Sequence, residues 1–152
     1  MQILPTMSTK TSGFRSELTP EVFNARGAGH LPGLVGLHIL SLTPEGLESR
    51  LEVRKELMAP NGFLHAATVI ALADTSCGYA CVANLPQGAT GFTTLELKAN
   101  FLGTTQDGAI FCRARPTHLG RTTQVWDAEV TIEGTEKRIA LFRCTQMVLW
   151  PK

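Results

Sequence analysis

Residues 64–83 read LHAATVIALADTSCGYACVA, and the way this stretch folds decides the arrangement of the rest of the chain. It contains no proline and one glycine, Gly78, and its apolar residues fall on nearly every side of a helical turn. About five turns of α-helix fit there, and a helix that is apolar all round is buried. One residue conflicts with that reading. Asp74 puts a carboxylate into a segment built for burial, where an unpaired charge costs a sizeable share of a small domain's stability. Either the carboxylate caps a neighbouring loop or bonds Ser and Thr hydroxyls at a tight helix contact, or it does chemistry, as a nucleophile or as the base that activates water.

On the N-terminal side, Met58-Ala59-Pro60-Asn61-Gly62 is a break. Before it, HLPGLVGLHILSLTPEGLESRLEVRKEL (30–57) gives two strand-like runs flanking the turn Thr43-Pro44-Glu45-Gly46. In the second run Leu47, Ser49, Leu51, Val53, Lys55 and Leu57 alternate with Glu48, Arg50, Glu52, Arg54 and Glu56, as in a strand with one charged face. LTPEVFNARG (18–27) reads as a short helix with Thr19 as N-cap, Pro20 in its first position and Gly27 near its end. The polar residues 1–17 read as a loose leader with no signal-peptide core, and residues 18–152 as one domain.

On the C-terminal side the pattern is all strand. Thr94, Glu96, Lys98 and Asn100 alternate with Leu95, Leu97, Ala99 and Phe101. A second strand, Ala109 to Arg115, follows the turn Asp107-Gly108. In a third, Trp126, Ala128, Val130 and Ile132 share a face, and Glu133-Gly134 leads into a fourth, Arg138 to Leu149. Two strands, one long buried helix and four strands predict an α+β fold, a curved antiparallel sheet wrapped around the helix.

The 152 residues carry a net charge of +1, with 43% hydrophobic and 18% charged residues. Lys and Arg are scattered, which argues against a nucleic-acid protein, and no apolar run is read as a membrane span. Cys77, Cys81, Cys112 and Cys144 form no CxxC pair. The four-residue spacing of the first two admits a metal, but small buried thiols in a reducing cytoplasm are the favoured reading, and no metal site is expected.

The order of elements, together with Gly62-Phe63-Leu64-His65-Ala66-Ala67, Leu72-Ala73-Asp74-Thr75, Thr93-Thr94-Leu95-Glu96-Leu97, Asn100-Phe101-Leu102 and His118-Leu119-Gly120-Arg121, resembles the hotdog-fold acyl-CoA thioesterases. The resemblance is strongest to the branch with phenylacetate-pathway and 4-hydroxybenzoyl-CoA thioesterases, and it covers about residues 30 to 149. Members of that family usually have two glycines after the histidine, where this chain has Ala66 and Ala67, and many have Asn or Gln where it has Ala59. Some carry a water-holding threonine one turn after the acid, where Gly78 stands here. The alanines keep their backbone N–H groups.

A helix start supplies unpaired N–H groups and a partial positive charge suited to a developing oxyanion, so Ala66 and Ala67 are candidate donors to a thioester carbonyl. Eight residues of helix span about 12 Å, so Ala66 and Asp74 of one chain cannot serve the same carbonyl. Two antiparallel copies of the helix would bring each Asp74 to the other's start. The resemblance implies that arrangement: a homodimer with composite sites, pairing further into a tetramer.

His65 either orients the thioester or satisfies backbone at the helix start. Asn61 and Gly62 either contact substrate or form a turn, and Thr94 either holds water or is a plain strand residue. Gly120, Arg121 and Thr122 either form an ordinary hairpin or, as in the family, contact the nucleotide of CoA. The expected activity is hydrolysis of an aryl- or medium-chain acyl-CoA in the cytoplasm, with CoA as part of the substrate and no cofactor. The rival readings are a hotdog hydratase or dehydratase, and a non-catalytic acyl-CoA sensor.

Overall fold

The computed structural model describes residues 13–152. The helix expected at the N-terminal side is present as α1 (Pro20–Gly27), with Thr19 Oγ1 accepting from the Val22 N–H at 3.4 Å. The turn at Thr43–Gly46 joins β1 (Leu37–Thr43) to β2 (Gly46–Glu52). Two stretches of the strand-like run 30–57 depart from expectation. Leu31–Val35 is a short helix, α2, because Pro32 suits a first turn and Gly36 ends it in the left-handed conformation at φ +78°. At the other end β2 stops at Glu52 and Lys55–Leu57 forms a single 3-10 turn, so the alternation beyond Glu52 belongs to no strand.

The long helix is α3 (Ala66–Ala83). By length and composition it would suffice to cross a membrane, which the sequence reading did not allow for. One side, with Leu72, Ala73, Cys77 and Ala80, is buried. Ala66 and Ala67 are exposed and Ile70 and Ala71 half-buried, so it is not buried on every side as expected. After it come β3 (Gly91–Phe101), β4 (Ala109–Leu119), β5 (Thr123–Ile132) and β6 (Arg138–Leu149). All pairings are antiparallel and the six strands lie in the order β1-β2-β4-β5-β6-β3. This is the α+β hotdog architecture. The side chains of Leu47, Leu51, Ile110, Trp126 and Val130 fill the space between sheet and helix, and each such burial contributes about 1.5–3 kcal/mol.

Polar contacts pin α3 at three places. Thr68 donates to the Leu57 carbonyl at 2.8 Å near its start, and the Ser49 and Ser76 hydroxyls meet at 2.7 Å in its middle. At its end the Gln124 amide donates to the Asn84 carbonyl at 2.8 Å. All four cysteines are buried free thiols, and burial pushes those of Cys81 and Cys112 up to about 12, which keeps them protonated and inert. Of the segment assigned to the leader, residues 1–12 lie outside the described residues. Residues 13–17 are held against the end of α3, where Arg15 donates from its backbone N–H to Ala83 and from its guanidinium to Ala89.

The two edges of the sheet differ. At β1 the Asn24 side chain accepts from the Ile39 N–H at 2.8 Å and donates to its carbonyl at 3.0 Å, so α1 occupies that edge. At β3 the outer edge has no partner strand among the described residues, and Leu95, Leu97 and Phe101 are exposed. A bulge also interrupts β3: pairing passes from Thr94–Gln146 to Glu96–Thr145 and leaves Leu95 out. Unbroken alternation would set Thr94 on the face opposite Leu97. The extra residue places Thr94 and Leu97 on the same face, opposite the buried Gln146 and Cys144, so Thr94 turns towards α3.

Candidate active site

Helix α3 sets out the candidate residues along one line. Its N-cap is His65, whose Nδ1 accepts the Ala67 N–H at 3.0 Å. An Nδ1 that accepts leaves the proton of the neutral ring on Nε2, and that ring is exposed. The same bond removes Ala67 as a free donor. The Ala66 N–H has no acceptor among the described residues and is exposed beside it. Of the two alanines, only Ala66 offers an amide to a ligand.

Ahead of the helix, Asn61 Oδ1 accepts from the Phe63 N–H at 3.2 Å, and Gly62 has φ +84°. Together they make the tight turn that brings the chain back for the Met58–Leu64 bridge. Gln106 donates to the Gly62 carbonyl at 3.1 Å and Thr104 accepts from the Leu64 N–H at 3.2 Å, so the loop after β3 fixes the approach to the helix start.

Two turns further on is Asp74. Its Oδ1 is buried and accepts no hydrogen bond among the described residues. Among the described residues neither structural account of this carboxylate applies, since there it caps no loop and meets no hydroxyl. Burial alone raises its pKa above the ordinary carboxylate value. Asp74 lines a cleft of about 260 Å³ with Thr75, Gly78 and Tyr79 of α3, Phe92 and Thr94 of β3 and residues of the first two helices. Thr94 is there because of the bulge. A side chain at Gly78 would meet Phe92 Cζ at 3.1 Å, so the glycine lets that ring lie against the helix one turn from Asp74.

Gly120, Arg121 and Thr122 lie elsewhere, in the β4–β5 hairpin near the far end of α3. Gly120 donates to the Thr123 carbonyl at 2.9 Å, and a Cβ there would come within 2.7 Å of that oxygen, so the turn needs glycine. The Arg121 guanidinium stacks 4.8 Å from the Trp150 ring, and Trp150 Nε1 donates back to the Arg121 carbonyl at 3.1 Å. One chain thus groups Asp74 with Thr94, and His65 and Ala66 with Asn61 and Gly62, and keeps these two groups and the hairpin apart. A larger hollow of about 550 Å³ on the outer sheet face contains no member of any group, and its Arg113 and Arg143 are committed to Glu48 and Asp127.

The sequence reading missed Phe23 and Arg26 of α1 as cleft residues. They stand about fifty positions before Asp74, and only the packing of α1 beside α3 brings them there. Among the described residues no group of three or more His, Cys, Asp or Glu is placed to hold a metal ion.

Asp74 thus lies half-buried on the central helix of a hotdog sheet, beside a cleft, its buried Oδ1 without a hydrogen-bond partner among the described residues. The sequence profile of the thioesterase superfamily matches residues 61–139, which include the turn, the helix start, Asp74 and the hairpin. The 1,4-dihydroxy-2-naphthoyl-CoA hydrolase of Listeria monocytogenes is 32% identical over 73% of this chain and 89% of its own. The enzyme of the same name from Escherichia coli is 28% identical over 77% and 85%. In structure, a thioesterase from Haemophilus influenzae superposes with a TM-score of 0.81 at 29% identity, covering 87% of this chain and 91% of that one. A mutant thioesterase from Pseudomonas aeruginosa gives 0.85 at 28% identity, covering 91% and 99%. The chain belongs to the thioesterase superfamily, and it is a thioester hydrolase of the acyl-CoA type.

Proposed function

We propose that this hydrolase cleaves an aryl- or medium-chain acyl-CoA to the free acid and CoA, with Asp74 as the reacting acid and a site shared between two chains. The observation that carries the reading is the buried Asp74 Oδ1 with no partner at a cleft. As a base, Asp74 takes a proton from water while the water oxygen attacks the thioester carbon. The carbonyl oxygen becomes an oxyanion, the C–S bond then breaks, and the proton goes to the departing CoA sulfur. As a nucleophile, Asp74 attacks the same carbon, the C–S bond breaks and the CoA thiolate leaves to take a proton from solvent. Water then opens the mixed anhydride, releasing the acid and restoring the Asp74 carboxyl. Both routes need a donor at the oxyanion, and Ala66 N–H is the free one.

Within one chain that amide is about 12 Å of helix away from Asp74. The bare β3 edge, with its exposed Leu95, Leu97 and Phe101, supports pairing with a second copy that would bring the partner's helix start to Asp74. The occupied β1 edge favours β3 as the one that pairs. In this reading His65 orients the thioester through its Nε2 side, while the loop at Asn61 and Gly62 borders the substrate and Thr94 holds water. The hairpin at Gly120, Arg121 and Thr122 takes the CoA phosphates, and two dimers associate further in the cytoplasm. The names of the Listeria and Escherichia coli relatives favour an aryl acyl group.

Complementation between two damaged chains tests the shared site. Asp74→Asn removes the acid. Ala66→Pro removes a single N–H at the first helical position, where proline is well accepted. Each homodimer should lose about a hundredfold or more in kcat/KM, measured as thiol release from a panel of acyl-CoAs. Co-refolded mixtures should recover activity, because a mixed dimer contains one site with both groups intact. Mixtures as inactive as their components would place acid and donor in the same chain, and an Asp74→Asn homodimer at full rate would remove Asp74 from the chemistry.

A further inference from the structure

We infer that Arg26 and Tyr79 read a charged substituent on the acyl group, and that the preferred substrates are aromatic acyl thioesters bearing a carboxylate or other oxyanion on the ring edge remote from the thioester. This rests on the thioesterase reading of Asp74. Three features of the cleft beside that residue carry it.

The first is shape. Asp74, Gly78 and Val82 are spaced four residues apart and form one stripe along α3, about 12 Å long, and all three line the cleft. Gly78 contributes no side chain, and Phe92 closes against it. The Tyr79 ring stacks on the buried Phe23 with centroids 4.4 Å apart and planes inclined by 16°, so Phe23 backs the Tyr79 ring on the α1 side of the cleft. A cleft with the Tyr79 ring on one wall and the edge of Phe92 over Gly78 suits a planar ring, which gains offset-stacked contact with Tyr79.

The second is charge. The cleft is lined by one acid, Asp74, and one cation, Arg26. Arg26 is in the last turn of α1, with its guanidinium 5.8 Å from the Phe23 centroid, and no carboxylate pairs with it among the described residues. Of the strand arginines, Arg50, Arg113, Arg138 and Arg143 are each paired with a Glu or Asp. Arg115 of β4 has no such pair among the described residues, but it does not line this cleft. An exposed but uncommitted guanidinium at the mouth of the cleft suits a planar oxyanion, which it can hold with two parallel hydrogen bonds.

The third is a spare donor. The Tyr79 hydroxyl makes no hydrogen bond among the described residues, and it points towards α1, where a Cβ at Gly27 would be 3.4 Å from it. Burial raises its pKa, so it stays a protonated donor at neutral pH. A ring held between Asp74 and Arg26 has its thioester at the acid, and its far edge reaches the hydroxyl and the guanidinium. A saturated alkyl chain would use neither group.

The test compares benzoyl-CoA, 4-carboxybenzoyl-CoA and octanoyl-CoA on the full-length oligomer, followed by thiol release. The wild type should favour 4-carboxybenzoyl-CoA over benzoyl-CoA by roughly tenfold or more in kcat/KM, the gain appearing in KM. In Arg26→Gln the ratio between the two should fall towards one, and Arg26→Lys should restore part of it. Tyr79→Phe should lower it by a smaller factor. Equal rates on the two aryl substrates, a preference for octanoyl-CoA, or a ratio unchanged in Arg26→Gln would overturn the inference. Binding of the same thioesters to Asp74→Asn separates this from failure of the thioesterase reading. A wild type that releases no thiol while Asp74→Asn binds 4-carboxybenzoyl-CoA more tightly, dependent on Arg26, sinks the hydrolase and leaves the recognition standing. Equal binding sinks the recognition.

Discussion

The first turn of α3 and its middle turn treat polar groups in opposite ways. At the start, His65 Nδ1 takes the Ala67 N–H and the Thr68 hydroxyl takes the Leu57 carbonyl, leaving the exposed Ala66 N–H uncommitted. In the middle, Asp74 keeps a buried oxygen that nothing among the described residues satisfies. The start is arranged as a stable helix terminus, and the spare amide can stay hydrated at little cost. The carboxylate cannot, since burial penalises its charged form. On the proposed function that cost is retained because Asp74 reacts.

That contrast can be broken from either end. The larger stability effect is expected at the start: His65→Ala deletes the N-cap acceptor and should destabilise the protein by about 1 kcal/mol. Thermal melting would show it as a drop of roughly 2–4 °C. An unchanged melting temperature would mean that the Ala67 bond contributes nothing. A smaller effect is expected in the middle. Gly78→Ala gains helix propensity of up to about 1 kcal/mol and sets the new methyl 3.1 Å from the tip of Phe92, which would have to give way slightly towards the cleft. Stability should hold or rise slightly while KM for aryl substrates rises. A loss of stability with unchanged KM would show that Phe92 is fixed and the cleft unaffected.

How much of this was legible in the sequence follows from the range of the interactions. The caps of α1, the turn at Thr43–Gly46, the extent of α3 and the span of β6 depend on neighbours in sequence, and each is where the residues place it. The bulge at Leu95 was not legible, because an apolar-polar alternation reads straight through an extra residue that only the partner strand reveals. Leu31–Val35 was read as strand because its apolar run outweighed Pro32 and Gly36. In the site, Asp74 showed itself as a charge in the wrong company. The cleft did not, since Phe23 and Arg26 reach it only through the packing of α1 beside α3.

The most direct test of the central claim is to measure turnover and thermal stability on the same preparations of wild type and Asp74→Asn across pH. A raised carboxyl pKa in the folded state means that wild type is most stable with Asp74 protonated and loses stability as pH rises through the folded-state value. The two proteins should therefore melt alike well below pH 3.8, the ordinary value. Above it Asp74→Asn should become the more stable, with the gap widening until the pH has passed the folded-state value. Thiol release by wild type should rise over the same limb, and the variant should have lost about a hundredfold or more at neutral pH. An inactive but more stable Asp74→Asn is the result the account predicts. A variant that is less stable at neutral pH, or one that keeps its activity, would show that Asp74 serves the fold and not the reaction.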